Sequence, residues 1–284
     1  MHRTIVSAEQ LNEQRDNPSW VIVDCRFQLS NPSAGRRAYE SGHIPGALFA
    51  DLEEDLSASV PVTDGGRHPL PAAGDQIDLF GRLGIGTGTQ VVVYDDAGGM
   101  IAGRLWWMLR YLGHEAVALL DGGIQRWTSL GLPMRSGTET RATAQFRGAP
   151  RDELLITKDA VASVARLVDA RDGERYRGEV EPIDPRAGHI PGASNYPHRS
   201  NLAPDGRLRP VSELREIINR ALDGVPADRA VFYCGSGVSS CLDLLALVHS
   251  GFGDAKLYVG SWSEWCRDPA MPIATGEEGP EVPR

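Results

Sequence analysis

The same succession of motifs runs through this chain twice. "VIVDCR" (21–26) is followed by "YESGHIPGALF" (39–49), and "RLVDAR" (166–171) is followed by "PRAGHIPGASN" (185–195). Further on, "VVVYDDAGG" (91–99) answers "VFYCGSG" (231–237), and "LLDGGIQRWTSLGLP" (119–133) answers "LYVGSWSEWCRDPAMP" (257–272). The offsets are 145 from Asp24 to Asp169, 146 from His43 to His189, 139 from Asp95 to Cys234 and 138 from Trp127 to Trp265. Four blocks in one order at nearly constant offset require two tandem copies of one domain. The expected copies are 1–135 and 154–284, each an ordinary domain size. Between them 136–153 is polar and broken by Gly and Pro, which reads as a linker.

Each copy alternates short apolar runs with amphipathic stretches. The runs "WVIVD", "QVVVYD" and "AVALL", then "RLVDA", "AVFYC" and "KLYV", have the continuous aliphatic character of strands buried on both faces. Helices are expected over 7–16, 75–83, 99–112, 211–222 and 238–250. Ser7 with Gln10 forms a capping-box pattern, and Thr157 and Ser212 are expected N-caps. The fold class that follows is α/β: two tandem domains, each a parallel central sheet flanked by helices. Ligands in such folds bind beyond the carboxyl ends of the strands. Cys234 sits at one such end, and Asp95 at the matching end of the first copy.

The turn after Cys234 reads "CGSGVSS" and leads into a helix. Gly235 and Gly237 allow backbone angles closed to other residues, so successive N–H groups can face one concavity. The helix starting near Val238 adds the positive end of its dipole. Both favour a thiolate at Cys234, which is the nucleophilic form, and both would suit a persulfide anion. A buried inert thiol is the commoner fate of a free cysteine, but it needs neither two glycines nor a cluster of serines. Cys241, two turns into the helix, reads as packing, and nothing around Cys25 or Cys266 suggests activation.

Composition narrows the classes. A formal charge of −9 argues against a general nucleic-acid binder, and no apolar run reaches the length of a membrane span. The N-terminus lacks the apolar core of a signal peptide, so a cytoplasmic location is expected. Four cysteines in 284 residues make no disulfide framework, and none has zinc spacing. A cysteine phosphatase would need an arginine six residues past the nucleophile, where this chain has Ser240. No side-chain cation falls between Cys234 and Lys256.

The doubled "GHIPGA" (42–47 and 188–193), "YRGEVEP" (176–182), "CGSGVSS" (234–240) and "GSWSEW" (260–265) together resemble the tandem-domain rhodanese family of thiosulfate and 3-mercaptopyruvate sulfurtransferases, over nearly the whole chain. The resemblance implies a catalytic second domain and an inactive first one. Asp95 in the nucleophile's place agrees, since a carboxylate cannot accept sulfane sulfur. His43 and His189 read as turn residues and are left outside the site. Arg175 matches the family's substrate-binding arginine. The family's second arginine falls on Ile183 here, and Arg186, three residues on, is the expected substitute. Arg171 and Arg177 read as surface charge. Gly235, Gly237, Val238 and Ser239 are expected to line the donor.

The neutral interior of the loop resembles the mercaptopyruvate enzymes, whereas thiosulfate enzymes resemble a loop carrying cations. The resemblance also implies an acid–His–Ser relay, with Ser236 and His68 in place and Glu53 as the nearest acid. The other reading of His68 is a plain hydrogen-bonding role. The expectation is a sulfurtransferase that passes sulfur from 3-mercaptopyruvate or thiosulfate through a Cys234 persulfide to a thiol, cyanide or protein-thiol acceptor. No metal or organic cofactor is expected, and neither nucleic acid nor membrane as partner. A persulfide carrier or redox sensor without turnover is the alternative from another class.

Overall fold

A computed structural model of the protein describes residues 1–59 and 65–277. The chain divides into two compact units. The first holds 1–59, 71–151 and 204–208, and the second 60–70, 152–203 and 209–284.

In the first unit the elements are β1 (Ile5–Val6), α1 (Ala8–Gln14), β2 (Trp20–Asp24), α2 (Ser33–Ser41), β3 (Ala47–Phe49), α3 (Ala73–Arg82), β4 (Gln90–Tyr94), α4 (Ala102–Tyr111), β5 (Val117–Leu120) and α5 (Gly123–Ser129). In the second they are β6 (Leu155–Ile156), α6 (Lys158–Val161), β7 (Arg166–Asp169), α7 (Gly173–Tyr176), β8 (Ala193–Asn195), α8 (Val211–Leu222), β9 (Ala230–Tyr233), α9 (Ser240–His249), β10 (Lys256–Tyr258) and α10 (Ser261–Trp265). The sheet orders are β1-β5-β4-β2-β3 and β6-β10-β9-β7-β8, with parallel pairing throughout. Element for element these are one topology built twice, as the repeat requires.

The central strands β2, β4, β7 and β9 are buried almost end to end because their Val, Ile, Leu and Phe side chains meet helices on both faces. Trp127 and Val92 share a buried cluster in the first unit, and Trp262 and Val231 one in the second. Each such side chain contributes about 1.5–3 kcal/mol on burial. The capping box on α1 is present, Ser7 Oγ accepting from Gln10 N–H and Gln10 Oε1 accepting from Ser7 N–H. Thr157 is the N-cap of α6, without a side-chain bond. Ser212, expected as a cap, lies inside α8, whose N-cap is Pro210. Proline fixes the extended-to-helix transition through its own ring, leaving no need for a hydroxyl.

The doubled "D-x-R" and "GHIPGA" motifs fasten each sheet at its carboxyl end. Asp169 takes a bidentate ion pair from Arg171, and Arg171 Nη2 also donates to Gly188 O at 2.7 Å. Asp24, Arg26 and Gly42 repeat that arrangement. Arg171 is therefore a buried fastening and not the surface charge expected; at 2 % exposure it stacks over Trp262. His43 Nδ1 contacts Tyr39 O and His189 Nδ1 contacts Tyr176 O, each imidazole stacked on that tyrosine. Both histidines hold the turn that leads into the next strand.

Candidate active site

Strand β9 ends at Tyr233 and delivers Cys234, 1 % exposed, into the turn before α9. Val238 N–H donates to Cys234 Sγ at 3.3 Å and Ser240 Oγ at 3.5 Å. The turn is held from beneath by the start of α10: Trp262 N–H donates to Cys234 O, Ser263 N–H to Gly235 O, and Cys234 N–H to Ser261 Oγ. Burial opposes the thiolate. The Ser239 and Ser240 hydroxyls and the N–H groups of Ser240 and Ser236 outweigh it and draw the Cys234 thiol below its ordinary range. Burial with a nearby acid does the reverse at Cys25 and Cys266, whose thiols are pushed up. Of these three, Cys234 alone carries an environment that favours a nucleophile.

The matching turn of the first unit is filled by its own carboxylate. Asp95 is fully buried; Oδ1 accepts from Ala97 and Gly99 N–H at 2.9 and 2.8 Å, and Oδ2 from Ile101 and Ala102 N–H at 2.8 Å each. The turn geometry common to both units is thus an anion cradle. In one it closes on a fixed carboxylate, and in the other it surrounds a sulfur.

The rhodanese-like domain model matches twice, at residues 7–130 and 152–268. The chain belongs to the rhodanese family. It is 46 % identical over 281 residues to a Pseudomonas aeruginosa protein named "Probable 3-mercaptopyruvate sulfurtransferase", covering 96 % of this chain and 98 % of that one. It is 33 % identical to the thiosulfate sulfurtransferase of Rattus norvegicus, covering 98 % of both. The solved structure of 3-mercaptopyruvate sulfurtransferase from Leishmania major superimposes with a TM-score of 0.83 at 33 % identity, over 93 % of this chain and 74 % of that one. Like these relatives, this rhodanese is a sulfurtransferase.

Around the rhodanese turn, the second unit gathers several of the residues expected from sequence. His68 Nδ1 lies 2.8 Å from Ser236 Oγ, with both side chains buried. Arg175, on α7, turns one edge to Glu181, Nη2 donating at 2.7 and 2.9 Å, while its Nη1 reaches toward Gly235. Gly237 takes φ +70° and backs onto Val259 O, so only a residue without Cβ fits there unstrained. Arg186 is not among the groups facing the turn: Nε donates to Cys266 O and Nη2 to Asp268 O, so its guanidinium ties main chain. Ile183, where the family's second arginine is expected, is exposed. Glu53 belongs to the first unit and is exposed, its N–H donating to Asp51 Oδ1.

Two residues at the turn escaped the sequence reading. Ser240 entered it only as the arginine that a phosphatase would need, yet its hydroxyl is on the sulfur. Arg67 stands beside His68 in "GGRHPLP", and its guanidinium comes to Gly235. Adjacency to His68 was the available signal.

Proposed function

We propose that the protein takes sulfur from 3-mercaptopyruvate, stores it as a Cys234 persulfide and delivers it to a thiol, cyanide or a protein thiol. The observation carrying this reading is the buried Cys234 with its lowered pKa, set in a turn whose own side chains are neutral. The thiolate attacks the donor's sulfur, an S–S bond forms, and the donor's C–S bond breaks with its electron pair left on carbon. The resulting enolate of pyruvate takes up the proton released from the donor's thiol. His68 against Ser236 Oγ offers a route for that proton. Arg175 is proposed to hold the donor's carboxylate. An acceptor thiolate then attacks the outer sulfur and frees Cys234. Four cysteines, none of them in a disulfide, suit a reducing compartment, and we place the protein in the cytoplasm. No described helix is long and apolar enough to cross a membrane.

The second reading, a thiosulfate-preferring enzyme releasing sulfite, is favoured by the two arginine side chains that approach Gly235. Steady-state turnover with each donor and an excess of thiol tests both. Higher kcat/KM for 3-mercaptopyruvate supports the proposal; a strong preference for thiosulfate overturns it in favour of the second reading. One sulfur delivered per chain, without turnover, would make the protein a carrier. Cys234→Ser is expected to abolish transfer with the fold kept, and substantial turnover by the folded variant would move the nucleophile elsewhere.

A further inference from the structure

Four arginines and three acids meet beside the cysteine turn within the second unit. Arg171 is neutralised by Asp169. The remaining three, Arg67, Arg175 and Arg267, share Glu181 and Asp184. Arg67 Nη1 donates to Asp184 Oδ1 at 2.8 Å, Arg267 Nη1 to the same oxygen at 3.0 Å, and Arg175 Nη2 to Oδ2 at 3.4 Å. One positive charge is left over. Both acids are nearly inaccessible, at 3 % and 0 % side-chain exposure, so water does little to screen them from the cations.

The direction of the surplus is specific. A Cβ built on Gly235 would lie 3.2 Å from Arg67 Nη2 and 3.6 Å from Arg175 Nη1. Neither nitrogen has a hydrogen-bond partner among the described residues, and Arg67 Nε is buried without one. Each guanidinium is anchored by its other side to a carboxylate, and Asp184 touches both, one oxygen each. Asp184 therefore sets the spacing of two donors that converge on the residue after the nucleophile. Arg67 is itself placed through its N–H, which donates to Ser263 Oγ at the start of α10.

We propose that Arg67 is the second cation of the donor seat, taking the part expected of Arg186, with Asp184 as the positioning residue that spaces it from Arg175. The inference rests on the sulfur-transfer reading above. The occupant is the anionic group of the sulfur donor, two of whose oxygens would take one N–H from each arginine. The turn carries no cation of its own because this one arrives from the segment that also brings His68.

The test compares wild type with Arg67→Gln and Arg67→Lys in the full chain. It measures donor kcat and KM, discharge of a preformed persulfide to cyanide, and the thermal midpoint. Arg67→Gln is expected to lower donor kcat/KM about ten- to a hundred-fold, chiefly through KM, as loss of a charge-assisted hydrogen bond does. Persulfide discharge should stay within about twofold, because the seat is empty in that step. Donor kcat/KM within about twofold of wild type overturns the proposal, and so does an equal fall in both half-reactions. Should Arg67→Gln unfold, Arg67→Lys decides: it keeps a charge for Asp184 but loses the planar fork, and a KM raised at least about threefold is expected. A wild-type KM in that variant overturns the seat. If wild type fails to turn over 3-mercaptopyruvate, the function reading falls separately, and loading of Cys234 by thiosulfate, followed by intact mass, reports the effect of each variant.

Discussion

Gly237→Ala puts the tightest contact of the cysteine turn to the test. The added methyl would sit 2.4 Å from Val259 O, where ordinary contact begins near 3.4 Å, so chain must move by about 1 Å. The turn has little room to move, pinned at Cys234 O and Gly235 O by N–H groups of α10. An L-residue at φ +70° costs about 1–2 kcal/mol, and the overpacking roughly 1–3 kcal/mol more. Displacing Val238 N–H, now 3.3 Å from Sγ, removes a charge-assisted hydrogen bond of about 1.5–3 kcal/mol, which pushes the thiol up. Gly192→Ala is the control: it has φ +79° in the same unit, but nothing lies within 4 Å of the added methyl. Thermal melting and the pH profile of alkylation by iodoacetamide, run on both variants, separate the two costs. Gly237→Ala should melt below Gly192→Ala and alkylate with a midpoint shifted upward, and its kcat/KM should fall about a hundred-fold, as a misplacement of this size does. Equal melting of the two variants, with an unshifted alkylation midpoint, would refute the argument that Val259 fixes the turn.

In wild type the alkylation midpoint should lie below the 9.0 of an unperturbed thiol, with Cys234→Ser as background; a midpoint at or above 9.0 would show that burial wins over the serine and amide donors. Arg175→Ala should lower donor kcat/KM roughly ten- to a hundred-fold and leave discharge of a preformed persulfide intact, whereas an unchanged donor value removes Arg175 from the site. Asp243, buried on α9 with Asn201 Nδ2 donating to it, is pushed well above the usual carboxylate range, first by burial. Its folded form then holds a proton that the unfolded chain has lost, so wild type loses stability relative to Asp243→Asn as pH rises past about 4. Melting midpoints from pH 4 to 8 check the sign, and a constant gap between the two proteins would deny the titration.

What could be read in advance follows from how local the signal was. The strands β2, β4, β5, β7, β9 and β10 were legible because each is a run of aliphatic residues between turn residues. The strands β1 and β6 are two residues long and carry no period; they exist because β5 and β10 offer them an edge. Helix α2 buries only Gly35 and Tyr39 and is otherwise mostly polar, so no cluster of apolar side chains marked it. Cys234 and its donors lie within seven consecutive residues, so their chemistry could be inferred from order alone. The contact of His68 with Ser236 spans 168 residues, and only the family resemblance pointed to it. Arg67 had no such pointer. Spacing favoured Arg186 on the assumption that a missing arginine is replaced nearby in sequence, whereas the Arg67 guanidinium that reaches Gly235 comes from a segment far earlier in the chain.

Asp95 fills its cradle with a side chain of its own, its two oxygens accepting from four N–H groups. The second unit folds with the equivalent turn around a sulfur, and loading moves the negative charge of the attacking thiolate one atom outward, to the terminal sulfur of the persulfide. To the extent that the folded turn holds that outer charge better than the unfolded chain does, sulfur loading raises the unfolding free energy of that unit. The linkage runs both ways. Whatever the turn contributes to holding the persulfide must be surrendered when the acceptor removes it. The two turns thus differ in what they hold: Asp95 is part of the chain, whereas the outer sulfur on Cys234 is an atom the reaction must release.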